Sequence, residues 1–198
     1  MHKKSFIFLW GLIFSVMGLL CSKNKKPNIL ILYADDLGYG DLKILNSKSK
    51  IPTPHLEKLG KEGMIFTDGH SSSGICTPSR YALLTGRHHW RKFHGIVSAF
   101  GDSAFDSDRL TMPEMLKEKG YDTAVIGKWH LGYREEEHPL NRGFDYFKGF
   151  LGGAVNYLSH EYTSGGHALS EGFQPWEPRK GKHLTKIFTD DAISYIEE

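Results

Sequence analysis

Cysteine is scarce. Only Cys21 and Cys76 occur in 198 residues, and two thiols do not make a disulfide scaffold. A dominant charge is missing too: 25 Lys and Arg face 23 Asp and Glu, a formal net charge of +2. No basic block stands out, which argues against a nucleic-acid binder. Long apolar runs are absent beyond residues 6–20, and that run is shorter than the ~20 residues a membrane helix needs. What remains is a chain long enough for one real core, in one or two domains, with eleven histidines.

The N-terminus has the order of an export signal. Met1-His2-Lys3-Lys4 is basic, residues 6–20 are apolar, and Ser22-Lys23-Asn24-Lys25-Lys26 is a polar tether. An apolar run ending at Cys21 resembles a bacterial lipoprotein signal, which implies lipidation at Cys21. Leu20 departs from that pattern, since a small residue normally precedes the cysteine. The expected organisation is a signal peptide over 1–21, a linker over 22–27 and a folded part over 28–198. The expected location is exported, either periplasmic or membrane-anchored as a lipoprotein.

The folded part alternates strand and helix signals. Ile29-Leu30-Ile31-Leu32-Tyr33 is apolar and too short for a helix, so it predicts a strand buried on both faces. Asp35-Asp36 follow, where ligand sites form at strand ends in α/β sheets. The pair is either a divalent-cation site, which relieves like-charge repulsion, or two loop acids facing water. Thr53 and Pro54 predict a helix start, with Leu56 and Leu59 as its buried stripe and Gly60 or Gly63 as its stop. Residues 64–67 predict a short strand. Thr111 and Glu114 predict a capping box, ended by Gly120, and residues 121–127 predict a second buried strand. Residues 185–198 predict an amphipathic helix whose Asp190 and Asp191 face water.

Between these elements lies Cys76-Thr77-Pro78-Ser79-Arg80, with Leu84-Thr85-Gly86-Arg87 further on and Gly127-Lys128-Trp129-His130 after the second strand. Together with Asp35-Asp36, these segments resemble the type I, formylglycine-dependent, arylsulfatase-like sulfatases, in the family's order. The resemblance implies an alkaline-phosphatase-like α/β sandwich with a mostly parallel central sheet flanked by helices, of which residues 28–198 are the N-terminal part. It implies a sulfuric ester hydrolase in which Cys76 is oxidised to formylglycine by a formylglycine-generating or anaerobic sulfatase-maturating enzyme. It implies catalytic roles for Cys76, Arg80, Lys128 and His130. Asp35, Asp36 and converted Cys76 are implied ligands of Ca2+, with Mg2+ as the alternative. The implied substrate is a sulfated small molecule or carbohydrate.

Bottom-up chemistry agrees with those roles. A lysine is a point charge suited to an oxyanion, and a histidine exchanges protons near neutral pH. Helix N-terminal amides near Ser79 and Arg80 favour an anion. Two other readings compete: a metal-dependent phosphatase or phosphodiesterase of the same superfamily, whose nucleophile is Ser or Thr, and a non-catalytic exported protein. Arg87 is expected to pack near the site. Asn156, Tyr157, His160 and Tyr162 are weak candidates for a substrate-facing loop. The family's second set of metal and sulfate ligands has no counterpart after Leu184, so the chain by itself is expected to show little or no sulfatase activity.

Overall fold

The computed structural model describes residues 26–96, 98, 103–177 and 180–198. The expected signal peptide and most of the linker lie outside them. Two compact units emerge, Met1–Ala34 and Asp35–Glu198.

In the first unit, residues 26–34 have no regular secondary structure. The run expected to be a buried strand is exposed, Leu30 at 67% and Leu32 at 71%. Apolar, β-branched residues favour an extended backbone, but a strand exists only where a neighbour completes its hydrogen-bond ladder. No ladder among the described residues includes residues 29–33.

The second unit carries helices α1 (Pro54–Glu62), α2 (Cys76–Thr85), α3 (Met112–Glu118) and α4 (Leu184–Glu197). Its strands are β1 (Ala124–Lys128), β2 (Tyr146–Phe150), β3 (Leu169–Glu171) and β4 (Gln174–Pro175). Among the described residues they form one sheet in the order β1-β2-β3-β4. β1 and β2 are parallel, with Lys128 opposite Phe150; β3 and β4 extend the sheet antiparallel.

Local chemistry accounts for the helix ends. The Thr111 and Glu114 capping box is formed: Thr111 N donates to Glu114 Oε2 at 2.7 Å, and Glu114 N donates to Thr111 Oγ1 at 3.4 Å. Gly86 takes the left-handed conformation that ends α2, at φ 63°, and its N–H reaches the Ala82 carbonyl. α1 differs from expectation. Pro54 opens it, but Thr53 makes no side-chain cap; its Oγ1 accepts from Lys43 N instead. Leu56 and Leu59 are exposed, as are Met64 and Phe66, and residues 64–67 form no strand. The 3.6 periodicity marks a face able to be buried, but supplies no surface to bury it against.

The core that positions the site joins α2 to the segment after β1. Tyr81, Leu84, Phe105, Trp129, Leu131 and Phe144 pack together there. Trp129 stacks on Phe105 and meets Phe144 edge-on, with ring centroids 6.2 and 6.1 Å away. A second cluster of Phe150, Leu169 and Leu184 fastens α4 to the sheet. Beside it Lys148 lies 3.2 Å from Asp191 and 4.2 Å from the Trp176 ring centre. Asp191 is therefore a partly buried ion-pair partner and not a water-facing acid. Its neighbour Asp190 pairs with Lys182 and Lys186.

Candidate active site

α2 begins at Cys76, β1 ends at Lys128, and the two ends meet. Lys128 Nζ stands 2.9 Å from Cys76 Sγ and 2.6 Å from Asp35 Oδ2. Arg80 follows Cys76 by four residues and so shares its helix face. Its Nη2 lies 3.0 Å from the same Asp35 oxygen, and its Nη1 donates to the Lys128 carbonyl at 2.6 Å. Asp35 Oδ1 faces Cys76 Sγ at 3.9 Å. Pro78 fits because it occupies the first helical turn, where backbone N–H groups have no intrahelical partner.

Two further contacts were not foreseen. Thr77 Oγ1 donates to the His130 carbonyl at 2.9 Å, and Gly153 lies against the His130 ring. A Cβ at Gly153 would come 2.8 Å from His130 Cε1. A threonine inside the cysteine motif gives no sequence cue to this tether. Glycine at 153 is what lets the backbone come this close to the ring.

Electrostatics favour an anion. Burial alone would push the Asp35 carboxyl up, but the Lys128 hydrogen bond and the charges of Lys128 and Arg80 outweigh it and hold Asp35 below its usual range. Two cations thus face one carboxylate. His130 adopts the left-handed region at φ 55°. Burial first, then the Lys128 and Arg80 charges, lower its pKa to about 4, with Asp35 opposing. The imidazole is therefore neutral at pH 7. Its buried Nδ1 has no hydrogen-bond partner among the described residues.

This makes a pH prediction. In the unfolded chain His130 takes its proton near pH 6.5, and in the folded chain near pH 4. The stability tied to neutral His130 is complete above pH 6.5 and is lost as pH falls through 4. Discounted for partial exposure, that loss is on the order of 2 kcal/mol. Asn tolerates the left-handed backbone, so His130→Asn is expected to remove this part of the acid sensitivity. Urea unfolding at pH 7 and pH 4.5 measures it; equal losses in both chains would refute it.

Of the three expected metal ligands, Asp35 and Cys76 meet, while Asp36 turns at φ 55° and makes no hydrogen bond to them. Among the described residues no group of three or more His, Cys, Asp or Glu is placed to hold a metal ion. Calcium takes about six to eight oxygen ligands. The donor set as arranged does not fit that ion, because the Asp35 oxygen aimed into the site is already paired with two cations.

Other expected residues lie elsewhere. Arg87 is exposed past the far end of the ten-residue α2, about 15 Å along its axis from Cys76. Asn156 Oδ1 accepts from Leu158 N and Ser159 N and so serves its own turn, while buried His160 Nε2 bonds the carbonyl of Lys182, 22 residues further on. Tyr162 lines a cavity of about 370 Å³ with Tyr133, His138, His167 and Phe173.

A cysteine at a helix N-terminus, ringed by lysine, arginine and aspartate at the end of a parallel strand, defines an anion-handling site at the strand ends of an α/β sheet. The family model for Sulfatase matches residues 27–198, and the chain belongs to that family. It is 40% identical over 195 residues to N-acetylgalactosamine-6-sulfatase of Homo sapiens, covering 87% of this chain and 36% of that protein. It is 36% identical over 166 residues to N-acetylgalactosamine-6-O-sulfatase of Bacteroides thetaiotaomicron, covering 78% and 32%. The solved structure of Ps i-CgsB in complex with k-i-k-neocarrahexaose superposes with a TM-score of 0.78 at 30% identity, over 87% of this chain and 42% of that one. The fold is accordingly alkaline-phosphatase-like. The chain spans roughly a third to two fifths of the length of the relatives it matches.

Proposed function

We propose that this site belongs to a sulfuric ester hydrolase acting on a sulfated carbohydrate. The observation that carries the reading is the Cys-Thr-Pro-Ser-Arg helix start, with Cys76 Sγ held 2.9 Å from Lys128 Nζ. Cys76 is only partly buried and faces both a cation and a carboxylate, a setting that suits an oxygen function at the same position. Oxidised to formylglycine, position 76 supplies a hydrated aldehyde: an oxygen nucleophile for sulfur, with a carbonyl-forming route for releasing sulfate. Lys128 is placed to hold a sulfate oxygen, and Arg80 fixes Lys128 and Asp35 in position. Neutral His130 is able to take a proton at pH 7 and return it. No step is routed through a divalent cation, since the described residues do not complete its site. The relatives named for N-acetylgalactosamine 6-sulfate support a sulfated sugar as substrate class. Export and a lipid anchor at Cys21 belong to the same proposal and rest on the order of the first 26 residues.

Peptide mass spectrometry tests it. Co-expressed with a sulfatase-maturating enzyme, the chain is expected to carry an aldehyde at position 76, captured by a hydrazide. An intact thiol, under conditions that convert a control sulfatase, would sink the reading. Sulfate release from an aryl sulfate by this chain alone is expected to match a Cys76→Ala control.

A further inference from the structure

The open face of α2 does not stop at the candidate site. Cys76, Arg80 and Leu83 recur at helical spacing and are partly buried or exposed, whereas Thr77, Tyr81 and Leu84 are buried. Past Gly86 the chain enters a short 3-10 turn, His89–Arg91. Trp90 in that turn is 50% exposed. Its indole is held in place, because the His88 ring stacks on it with centroids 3.9 Å apart and planes 12° from parallel. Cations flank this pair. Lys92 pairs with Asp106, which also lies 4.0 Å from Arg109 and feels the charge of Arg87. Arg87 and Arg91 are exposed, and among the described residues neither forms a salt bridge.

We propose that this turn is a binding surface for a sulfated polysaccharide, with Trp90 against a sugar ring and Arg87 and Arg91 against sulfates on neighbouring residues. The pairing of residue types sets the partner's chemistry. An indole offers a broad apolar surface to the C–H face of a pyranose, and a guanidinium offers a planar fork of donors to an oxyanion. A sulfated polymer uses both, while a neutral glycan or a polyanion without sugar rings uses one. Geometry sets the length. Arg87 lies about 15 Å along the α2 axis from Cys76, so a ligand that reaches both ends of the helix is a chain and not a single sugar. The inference rests on the sulfated-carbohydrate reading of the site, and not on formylglycine or turnover.

The test titrates the full chain into fluorescein-labelled dextran sulfate, followed by anisotropy at low and high NaCl. Arg87→Gln with Arg91→Gln is expected to weaken binding about fivefold or more at low salt, and to flatten the salt dependence. Trp90→Ala is expected to weaken it about threefold, and to keep that loss at high salt, because apolar contact is not screened. Lys48→Gln with Lys50→Gln removes the same charge from the loop ahead of α1, and is expected to change binding by less than about twofold. Unlabelled dextran is expected not to compete, and polyglutamate and single-stranded DNA to compete weakly. All these side chains are exposed, and circular dichroism confirms that each variant folds. An absence of dextran sulfate binding overturns the inference. So does an equal loss in the two lysine substitutions, which would reduce the effect to overall charge. A Trp90→Ala chain that binds unchanged, or DNA that competes as well as dextran sulfate, overturns it too. Binding needs no maturation of Cys76, so an intact thiol touches only the proposed function, and an aldehyde at position 76 without binding touches only this surface.

Discussion

The Trp129→Ala chain is expected to lose about 3–5 kcal/mol of stability. Trp129 sits between Lys128 and His130 and is 2% exposed. Its ring stacks on Phe105 and abuts Phe144, and its Nε1 donates to the Glu137 carbonyl at 3.0 Å. Truncation leaves a cavity and an unsatisfied buried carbonyl. Its backbone matters as well: Trp129 N donates to Phe150 O and His130 N donates to Leu151 O, carrying β1 pairing past Lys128. Trp129→Phe keeps much of the packing and drops the indole bond, so about 1–2 kcal/mol is expected. Urea unfolding midpoints of the three chains check the order. A loss below about 1 kcal/mol for Ala would mean that this core does not hold the site.

Gly149→Ala is expected to be worse. Gly149 pairs with Gly127 across the parallel β1–β2 ladder. An added Cβ overlaps the Gly127 carbonyl oxygen and comes 2.8 Å from its carbon, both backbone atoms. Backbone cannot swing aside as a flexible side chain does, so the two strands must part. A loss above about 4 kcal/mol is expected, enough to leave little folded chain. Gly165→Ala is the control. Gly165 has a positive φ, 86°, which Gly149 does not, and nothing lies within 4 Å of its added Cβ, so only backbone strain of about 1–2 kcal/mol applies. Circular dichroism and soluble yield separate the two; equal behaviour would show that the close approach is not what matters.

The site was legible in sequence to the extent that it is local. Cys76 and Arg80 share a face because they are four residues apart on a helix, and the Thr111 capping box is written in adjacent residues. Lys128 ends a strand whose composition marks it. What was not legible depends on distant partners. Residues 29–33 have strand propensity without a ladder. Leu56 and Leu59 have helical spacing without a surface to cover. Asp191 looked like its neighbour Asp190, but only a folded sheet brings Lys148 to one and not the other. Thr77 reaches the His130 carbonyl across 53 positions of sequence, which no periodicity encodes.

That Thr77 tether and the Arg80 bond to the Lys128 carbonyl work together as a gauge. Two donors three residues apart on the helix engage two carbonyls two residues apart, one at the end of β1 and one just past it. Each helical residue turns about 100° and rises about 1.5 Å. An insertion ahead of Cys76 carries both donors along as a unit, whereas an insertion between Thr77 and Arg80 sets one at the expense of the other. The cysteine motif and the lysine motif are therefore one measuring device in two pieces, and a graft of either onto another scaffold needs its counterpart.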